Sequence, residues 1–476
     1  MSQEKASPTF SVSPRLLNRI QSLKIYFVII GAGVTGLSCA IALRRNGHRV
    51  TVIEKNRNIT DPQHRRGVRM PPNLTKILIN WGLKDRLQAI SVKLETIHVV
   101  EAYDGELLGV QDCEAELLTE TRGEYLFAHL SDLMLLLYDE AIKLGVEIVF
   151  GTKATNIQST KTGDDSGRWT INTDVGQTRC PDVIVGADGF GGLTHRILLD
   201  EISDENESND EDSNAESDDE YNTLFCWLGH GRSVIGYPIG GTEEFALCAY
   251  GPDTEGNVVS GITELLNGTE PRLRNLLSPI VSSGTLQRHP VIMGKPLKNW
   301  VQAGGLVLVG TGAHPLPPGS MQEKAMDVED GAILARLFSY LRSPDHIGTL
   351  LSAFDELRRG RCEGVMKSEA SIMQYKCMPE GEHNARDDTL RAKKAAGIPA
   401  LQAGGDQEEM QEWREVKEVF GFEVEDNADE WWLIWGAPRF RREVSNEVEA
   451  PGTLGWDAQV QHEVNMRSSD KRGHPQ

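Results

Sequence analysis

The stretch Lys24 to Glu54, KIYFVIIGAGVTGLSCAIALRRNGHRVTVIE, limits what this chain can fold into more than any other. Residues Ile25–Ile30 form an apolar, β-rich run with the pattern of a strand buried on both faces. Gly31, Gly33 and Gly36 then complete G-x-G-x-x-G. The first glycine permits a tight turn, the second lets backbone approach a pyrophosphate, and the third lets a helix pack closely on the strand. The helix start offers free N–H groups and the positive end of its dipole to phosphates. Val50–Ile53 reads as the second strand, and Glu54 ends it where a ribose hydroxyl would need an acceptor. Strand, glycine turn, helix, strand and acid at this spacing predict a dinucleotide-binding βαβ unit.

At 476 residues the chain exceeds one small core, so two or three domains are expected. The net charge of −21 argues against nucleic acid, whose phosphates would be repelled. Twelve of the acidic residues lie in Asp200–Glu220, which has no Lys or Arg. That block reads as a disordered surface insertion, because its composition cannot bury enough apolar area to fold. A partner-binding acidic patch is its functional alternative, with the partner unknown. Seven scattered cysteines, with no C-x-x-C, support neither a zinc site nor a disulfide framework, so no metal is expected. No run reaches transmembrane length and the first twenty residues lack a signal core, which makes the cytoplasm the expected location.

Along the chain, Pro14–Leu23 suggests a short helix and Lys55–Arg69 a loop carrying His64, Arg65, Arg66 and Arg69. Met70–Leu87 reads as one amphipathic helix opened by prolines. Ser91–Val110 alternates as strands around an Asp104-Gly105 turn. Tyr125–Leu130 reads as a strand, and Ser131–Leu144 as a helix capped by Ser131 or Asp132. Lys153–Gln158 and Trp169–Thr173 pair around a turn at Thr162–Gly167, and Asp182–Gly186 runs into a GADG turn. Tyr221–Leu228, Ser233–Ile239 and Glu244–Tyr250 predict a second, mostly antiparallel sheet. Leu306–Val309 is a short buried strand, and Gln322–Leu341 and Leu351–Met373 are long helices. Trp413, Trp431, Trp432, Trp435 and Trp456 suggest core packing near the C-terminus.

Three segments carry a resemblance to a known family: GAGVTG (31–36) with Glu54, VGADGFGGLTHR (185–196), and VLVGTGAHPLPPGSMQEKAMDVEDGAILARLF (307–338). In this order and spacing they resemble the class A FAD-dependent flavoprotein monooxygenases. RRGVRMPPN (65–73), MPEGEHNARD (378–387) and WWLIWG (431–436) are similar to segments of the fungal salicylate hydroxylase-like branch. The resemblance implies an α/β fold. Its parts are a Rossmann-like FAD-binding domain of the para-hydroxybenzoate hydroxylase type, an antiparallel substrate domain and a helical C-terminal region. The implied boundaries are 24–90, 125–199 and 295–375 for the FAD-binding domain, and 91–124 and 221–294 for the substrate domain. The acidic insertion is 200–220 and the C-terminal region 376–476, frayed after 451.

The resemblance also implies FAD as cofactor, NAD(P)H and O2 as co-substrates, and transfer of one oxygen atom to an aromatic, polyketide- or terpenoid-like small molecule. Implied cofactor-binding residues are Gly31, Gly33, Gly36, Glu54, Arg66, Gly67, Asp188, Gly189, Gly310, Thr311 and Glu323. Tyr237, in VIGYPIGG, matches a substrate-side tyrosine whose phenol can hydrogen-bond a phenolate or carbonyl. Its packing on the sheet is the alternative. His314, before a proline, is expected to pack in its loop, and Glu329 and Asp330 to cap or pair at the surface. Several positions depart from the family: Thr311 replaces an aspartate, Glu323 a glycine, and Leu130 an arginine, while no arginine follows GADG on the expected strand. The departures at Thr311, Glu323 and Leu130 motivate one alternative, a degenerate scaffold with weak or no flavin binding; a flavin oxidase or dehydrogenase on the same fold is a second.

Overall fold

The computed structural model describes residues 23–59, 66–113, 121–160, 168–199, 222–240, 244–252, 262–263, 267–283, 297–317, 319–401 and 418–441. The chain divides into two compact units between Ala428 and Asp429. The first opens with strand β1 (Tyr26–Ile30), helix α1 (Val34–Arg45) and strand β2 (Arg49–Ile53). Next come β3 (Gly67–Met70), α2 (Pro72–Asn80), α3 (Lys84–Ala89), β4 (Val92–Lys93), β5 (Thr96–Glu101) and β6 (Leu107–Asp112). They are followed by β7 (Leu126–His129), α4 (Leu130–Lys143), β8 (Glu147–Val149), β9 (Ala154–Thr160), β10 (Arg168–Thr173), β11 (Thr178–Arg179), β12 (Val183–Gly186) and α5 (Leu193–Leu199). Then follow β13 (Thr223–Leu228), β14 (Ser233–Gly240), β15 (Glu244–Tyr250), α6 (Pro271–Ser283), β16 (Val301–Gln302) and β17 (Leu306–Leu308). Helices α7 (Glu323–Phe338), α8 (Ile347–Lys376), α9 (Glu382–Ala395) and α10 (Val424–Trp431) complete the described elements.

The main sheet has the order β16-β17-β12-β1-β2-β8. Its β17-β12-β1-β2-β8 core is parallel, with Ile30 beside both Ile53 and Gly186, and Gly186 beside Leu308. The C-terminal ends of β1, β12 and β17 therefore lie at one edge, and each runs into one of the three glycine motifs. Strand β1 has β2 on one side and β12 on the other, so successive crossovers leave it in opposite directions. Such a switch point opens a crevice beyond the strand ends, the usual ligand site of an open α/β sheet.

Helix α1 is buried against α7, and the two cross closely at Gly331. A Cβ there would stand 2.7 Å from the Cys39 nitrogen. Glycine inside a helix costs about 1 kcal/mol relative to alanine, and here the close crossing requires it.

A second sheet, β15-β14-β13-β5-β6, is antiparallel except for the β13–β5 pair. One of its cores gathers Tyr237, Phe127, Tyr125, Leu224 and Ile235. Strands β3, β7 and β4 form a small sheet, and β3 carries Gly67 and Arg69.

Local structure differs from the sequence expectation in several places. Residues 67–70 are a strand rather than loop, because Gly67–Met70 pairs with Leu126–His129. The single helix expected over Met70–Leu87 is two, since Gly82 takes φ +82° and ends α2 after Trp81. Helix α4 begins at Leu130 with His129 as N-cap, not Ser131 or Asp132. The Thr162–Gly167 turn, the acidic block, residues 14–22 of the N-terminal segment and the tail after 451 lie outside the described residues.

In the second unit, Trp432 meets the Phe440 ring edge-on at 5.1 Å within a π-helical turn, Trp432–Gly436. Trp435 there is 66% exposed, so core packing does not account for it. Trp413 and Trp456 lie outside the described residues.

Beside α1, buried His48 sits between the rings of Phe27 and Phe338. Burial, reinforced by Lys24, holds its pKa down to about 4. The unfolded chain therefore takes up a proton near pH 6.5 that the folded chain refuses until about pH 4. Stability should fall by up to about 3 kcal/mol as pH drops through that window. His48→Asn should remove that slope in urea midpoints measured from pH 7 to 4.5. Parallel slopes for the two proteins would contradict it.

Candidate cofactor and substrate site

The glycine turn is built to keep one face open. Gly31 has φ +103°, and a Cβ there would lie 2.4 Å from the Ala187 carbonyl oxygen. At Gly36 a Cβ would lie 1.9 Å from the Gly31 oxygen. Gly33 differs, since nothing lies within 4 Å of where its Cβ would be. Gly33 is also the N-cap of α1 and supplies no side-chain acceptor to the first-turn N–H groups. Two glycines thus close the turn onto its neighbours, while the third faces open space at a positive helix end.

Glu54 fixes the turn. One carboxylate oxygen accepts the Ala32 N–H at 2.6 Å, and the other accepts the Asn56 N–H at 2.8 Å. Lone pairs remain on both oxygens for a hydroxyl donor.

The GADG segment continues β12, and the Ala187 N–H donates to the Ile30 carbonyl at 2.9 Å. Asp188 accepts from the Thr194 N–H at 3.0 Å and from the Thr194 hydroxyl, holding the start of α5. Burial pushes its pKa up, against the pull of these hydrogen bonds. Gly189 stands beside Thr311, whose hydroxyl would be 3.5 Å from a Cβ at that glycine. Gly310 packs on the first turn of α1, where its Cβ would meet the Thr35 hydroxyl at 2.5 Å. All three glycine motifs therefore converge on the N-terminus of α1.

The loop before α7 meets β3 at a second cleft, lined by Arg66, Gly67, Arg69, Tyr237, Ser320 and Glu323. Glu323 bonds Arg66 at 3.0 Å, Lys324 at 2.9 Å and the Gly319 N–H at 2.8 Å. Burial opposes its ionisation, but Lys324 and Arg66 outweigh burial and hold its pKa at about 2. Leu130 also lines this cleft as a buried apolar side chain where the family resemblance implies an arginine. Tyr237 is 1% exposed, and its hydroxyl would stand 2.9 Å from a Cβ at Gly67. Burial raises its pKa well above that of a free phenol, so it stays a neutral donor. The Ser320 hydroxyl is buried and without a hydrogen-bond partner.

An open Gly33, a close-packed Gly31 and Gly36, and the orphaned Ser320 hydroxyl in the second cleft fit an extended dinucleotide. The residues present therefore suit FAD.

Glu329 and Asp330 correct the expectation of surface pairing, because both are fully buried. Arg358, 0% exposed, donates to Asp330 and to Glu329 at 2.7 Å each. Asp330 also accepts the Gly310 N–H at 2.7 Å and pairs with His314 at 2.8 Å. Burial raises the Asp330 pKa, but His314 and Arg358 bring it below the usual range. Glu329 accepts from Asn73 at 2.8 Å and from Arg361 at 3.2 Å. His314 therefore does more than pack: with Asp330 it ties the Gly310 turn to α7. The sequence did carry a signal for this network. Phe354, Arg358, Cys362 and Val365 share one buried stripe of α8, and a charge inside an apolar stripe needs a partner.

Comparison with known proteins agrees with this geometry. A family model described as an FAD binding domain matches residues 24–220. The "FAD-dependent monooxygenase OpS4" of Beauveria bassiana is 25% identical over 391 residues, covering 77% of this chain and 89% of that protein. The fold matches a Klebsiella pneumoniae HpxO structure "complexed with FAD and uric acid" at TM-score 0.66 and 16% identity, over 83% of this chain and 97% of that one. It also matches a "Salicylate hydroxylase substrate complex" at TM-score 0.61 and 16% identity, over 85% of this chain and 97% of that one. With three glycine motifs gathered at the switch point of a parallel sheet and a second sheet beside them, the chain carries an FAD binding domain over residues 24–220, has a fold of the para-hydroxybenzoate hydroxylase type and is similar in sequence to FAD-dependent monooxygenases.

Proposed function

We propose that this protein uses NAD(P)H and O2 to hydroxylate or epoxidise an aromatic, polyketide- or terpenoid-like small molecule in the cytoplasm, as a step of secondary metabolism. The observation that carries this reading is that Gly310 packs on the first turn of α1 while Gly319, Ser320 and Glu323, a few residues later, line the Tyr237 cleft. The glycine turn would hold the pyrophosphate, and the Tyr237 cleft would hold the reacting end. FAD, when bound, supplies the oxygen-transfer chemistry. The protein's own residues bind, orient and exclude water. Gly33 and the first turn of α1 would take the pyrophosphate on backbone N–H groups, with Gly31 and Gly36 shaping the turn, and Glu54 would accept from the ribose. Asp188, Gly189, Gly310 and Thr311 would line the ribityl chain, with Asp330 fixing the Gly310 turn. Arg66, Gly67 and Glu323 would border the ring. Tyr237 would donate its neutral hydroxyl to a substrate oxygen.

In this reading residues 24–90, 125–199 and 295–375 carry the cofactor, and 91–124 with 221–294 the substrate. No helix among the described residues is long and apolar enough to cross a membrane.

The test is isotopic. FAD-loaded protein, NADH or NADPH and a panel of hydroxylated aromatic acids and polyketides would react under 18O2. One 18O atom in the product supports the proposal. Substrate oxidation with peroxide formed and no label in the product would make the protein an oxidase, and failure of both NADH and NADPH to reduce the flavin would contradict the proposal.

The Glu323 ion pairs favour one second reading, a protein that keeps the fold but binds flavin weakly, since a carboxylate fills space the family gives to glycine. Glu323→Gly should then raise FAD affinity by about tenfold, read as a Kd by fluorescence quenching. An unchanged Kd would mean that this loop does not meet the cofactor.

A further inference from the structure

Arg69, Arg358 and Arg386 are the buried arginines among the described residues. Arg358 pairs with Glu329 and Asp330, and Arg386 with Asp387. Arg69, 7% exposed, forms no ion pair with a described carboxylate. Its guanidinium donates to the Gly319 carbonyl and bonds Tyr125. It also stands 5.9 Å from the centre of the Tyr237 ring. A guanidinium taken out of water costs several kcal/mol unless an anion accompanies it, and neutral acceptors repay only part of that.

The surroundings add to the imbalance. Lys376, at the end of α8, lies within electrostatic reach of Arg69, and its pKa is lowered by burial and then by Arg69. Glu369 also acts on Lys376, but its carboxylate accepts the Gln322 N–H at 2.9 Å. Glu323 is already held by Arg66 and Lys324. Arg69 nevertheless lines the cleft next to Tyr237. A positive site of this kind stands out in a chain of net charge −21.

We propose that Arg69 is the anion-recognising residue of the substrate cleft, and that its guanidinium, beside Tyr125 and Tyr237, takes a carboxylate or ionised phenol of the substrate. This rests on the flavin monooxygenase reading for the identity of the cleft. It assigns to β3 the charge that the sequence does not supply on the strand after GADG. A bidentate guanidinium–carboxylate pair also orients its ligand, so Arg69 would set which substrate carbon faces the cofactor.

Benzoate and its neutral isostere benzamide are the probes. Each is titrated calorimetrically into the FAD-incubated full chain, with bound flavin read by absorbance in the same samples. The wild type should prefer benzoate by about tenfold or more, and Arg69→Gln should lose that preference while its benzamide affinity stays within about twofold. Equal wild-type affinities, or an unchanged ratio in Arg69→Gln, would overturn the proposal. If Arg69→Gln does not fold, Arg69→Lys decides. A retained preference of about threefold or more supports the role of charge, and equal affinities overturn it. A colourless protein that still prefers benzoate would overturn the flavin reading alone. A flavin-loaded protein without the preference would overturn only the role of Arg69.

Discussion

Gly33→Asp is expected to leave the protein folded, with an unchanged or higher thermal midpoint without FAD, and to weaken FAD binding by about 100-fold or more. The backbone at Gly33 is extended, at φ −69° and ψ −177°, which any residue adopts. No atom lies within 4 Å of its Cβ position, so the new side chain meets no protein. Aspartate is a good N-cap, and its charge favours the positive end of α1, together worth about 0.5–1 kcal/mol. The same carboxylate would occupy the space proposed for the pyrophosphate and repel it. The variant therefore separates folding from cofactor binding, which Gly31 or Gly36 substitutions would not, since both would clash with backbone. Melting curves with and without FAD read both effects, because a ligand stabilises only a fold that binds it. An FAD affinity within threefold of wild type would mean that the open glycine face is not the pyrophosphate site.

Arg358→Met should destabilise the protein by about 3–5 kcal/mol in urea unfolding. Two fully buried carboxylates would lose their shared cation, leaving Glu329 with Arg361 and Asn73 and Asp330 with His314. The damage should spread to the cofactor site, because Asp330 holds the Gly310 N–H and Asn73 bridges Glu329 and Gln322. FAD affinity should therefore fall together with stability. Adding Glu329→Gln and Asp330→Asn to Arg358→Met should recover part of the loss, since neutral side chains carry a smaller desolvation cost than orphaned charges. A loss below about 1 kcal/mol for Arg358→Met would show the network to be energetically idle.

The opening βαβ unit was legible because three independent local signals coincide there: strand periodicity, glycines at fixed offsets and an acid after the second strand. The antiparallel strands at Thr223–Leu228, Ser233–Gly240 and Glu244–Tyr250 were legible for a similar reason, alternation between turn residues. Other features depend on contacts distant in sequence. Gly67–Met70 is a strand because it finds Leu126–His129. Glu329 and Asp330 looked like surface acids because their partner Arg358 lies about thirty residues later. Arg69 read as one more loop cation until β3 placed it against Tyr237. The departures at Thr311, Glu323 and Leu130 were visible as residue types. What they do depends on neighbours: Thr311 stands by Gly189, Glu323 binds two cations, and Leu130 is buried at the cleft.

The central claim is that this chain holds FAD, and a flavin titration tests it most directly. Purified protein, mixed with increasing FAD and separated from free cofactor, should retain about one FAD per chain with the two visible flavin absorption bands. A colourless protein that retains no added FAD at any concentration would contradict the account.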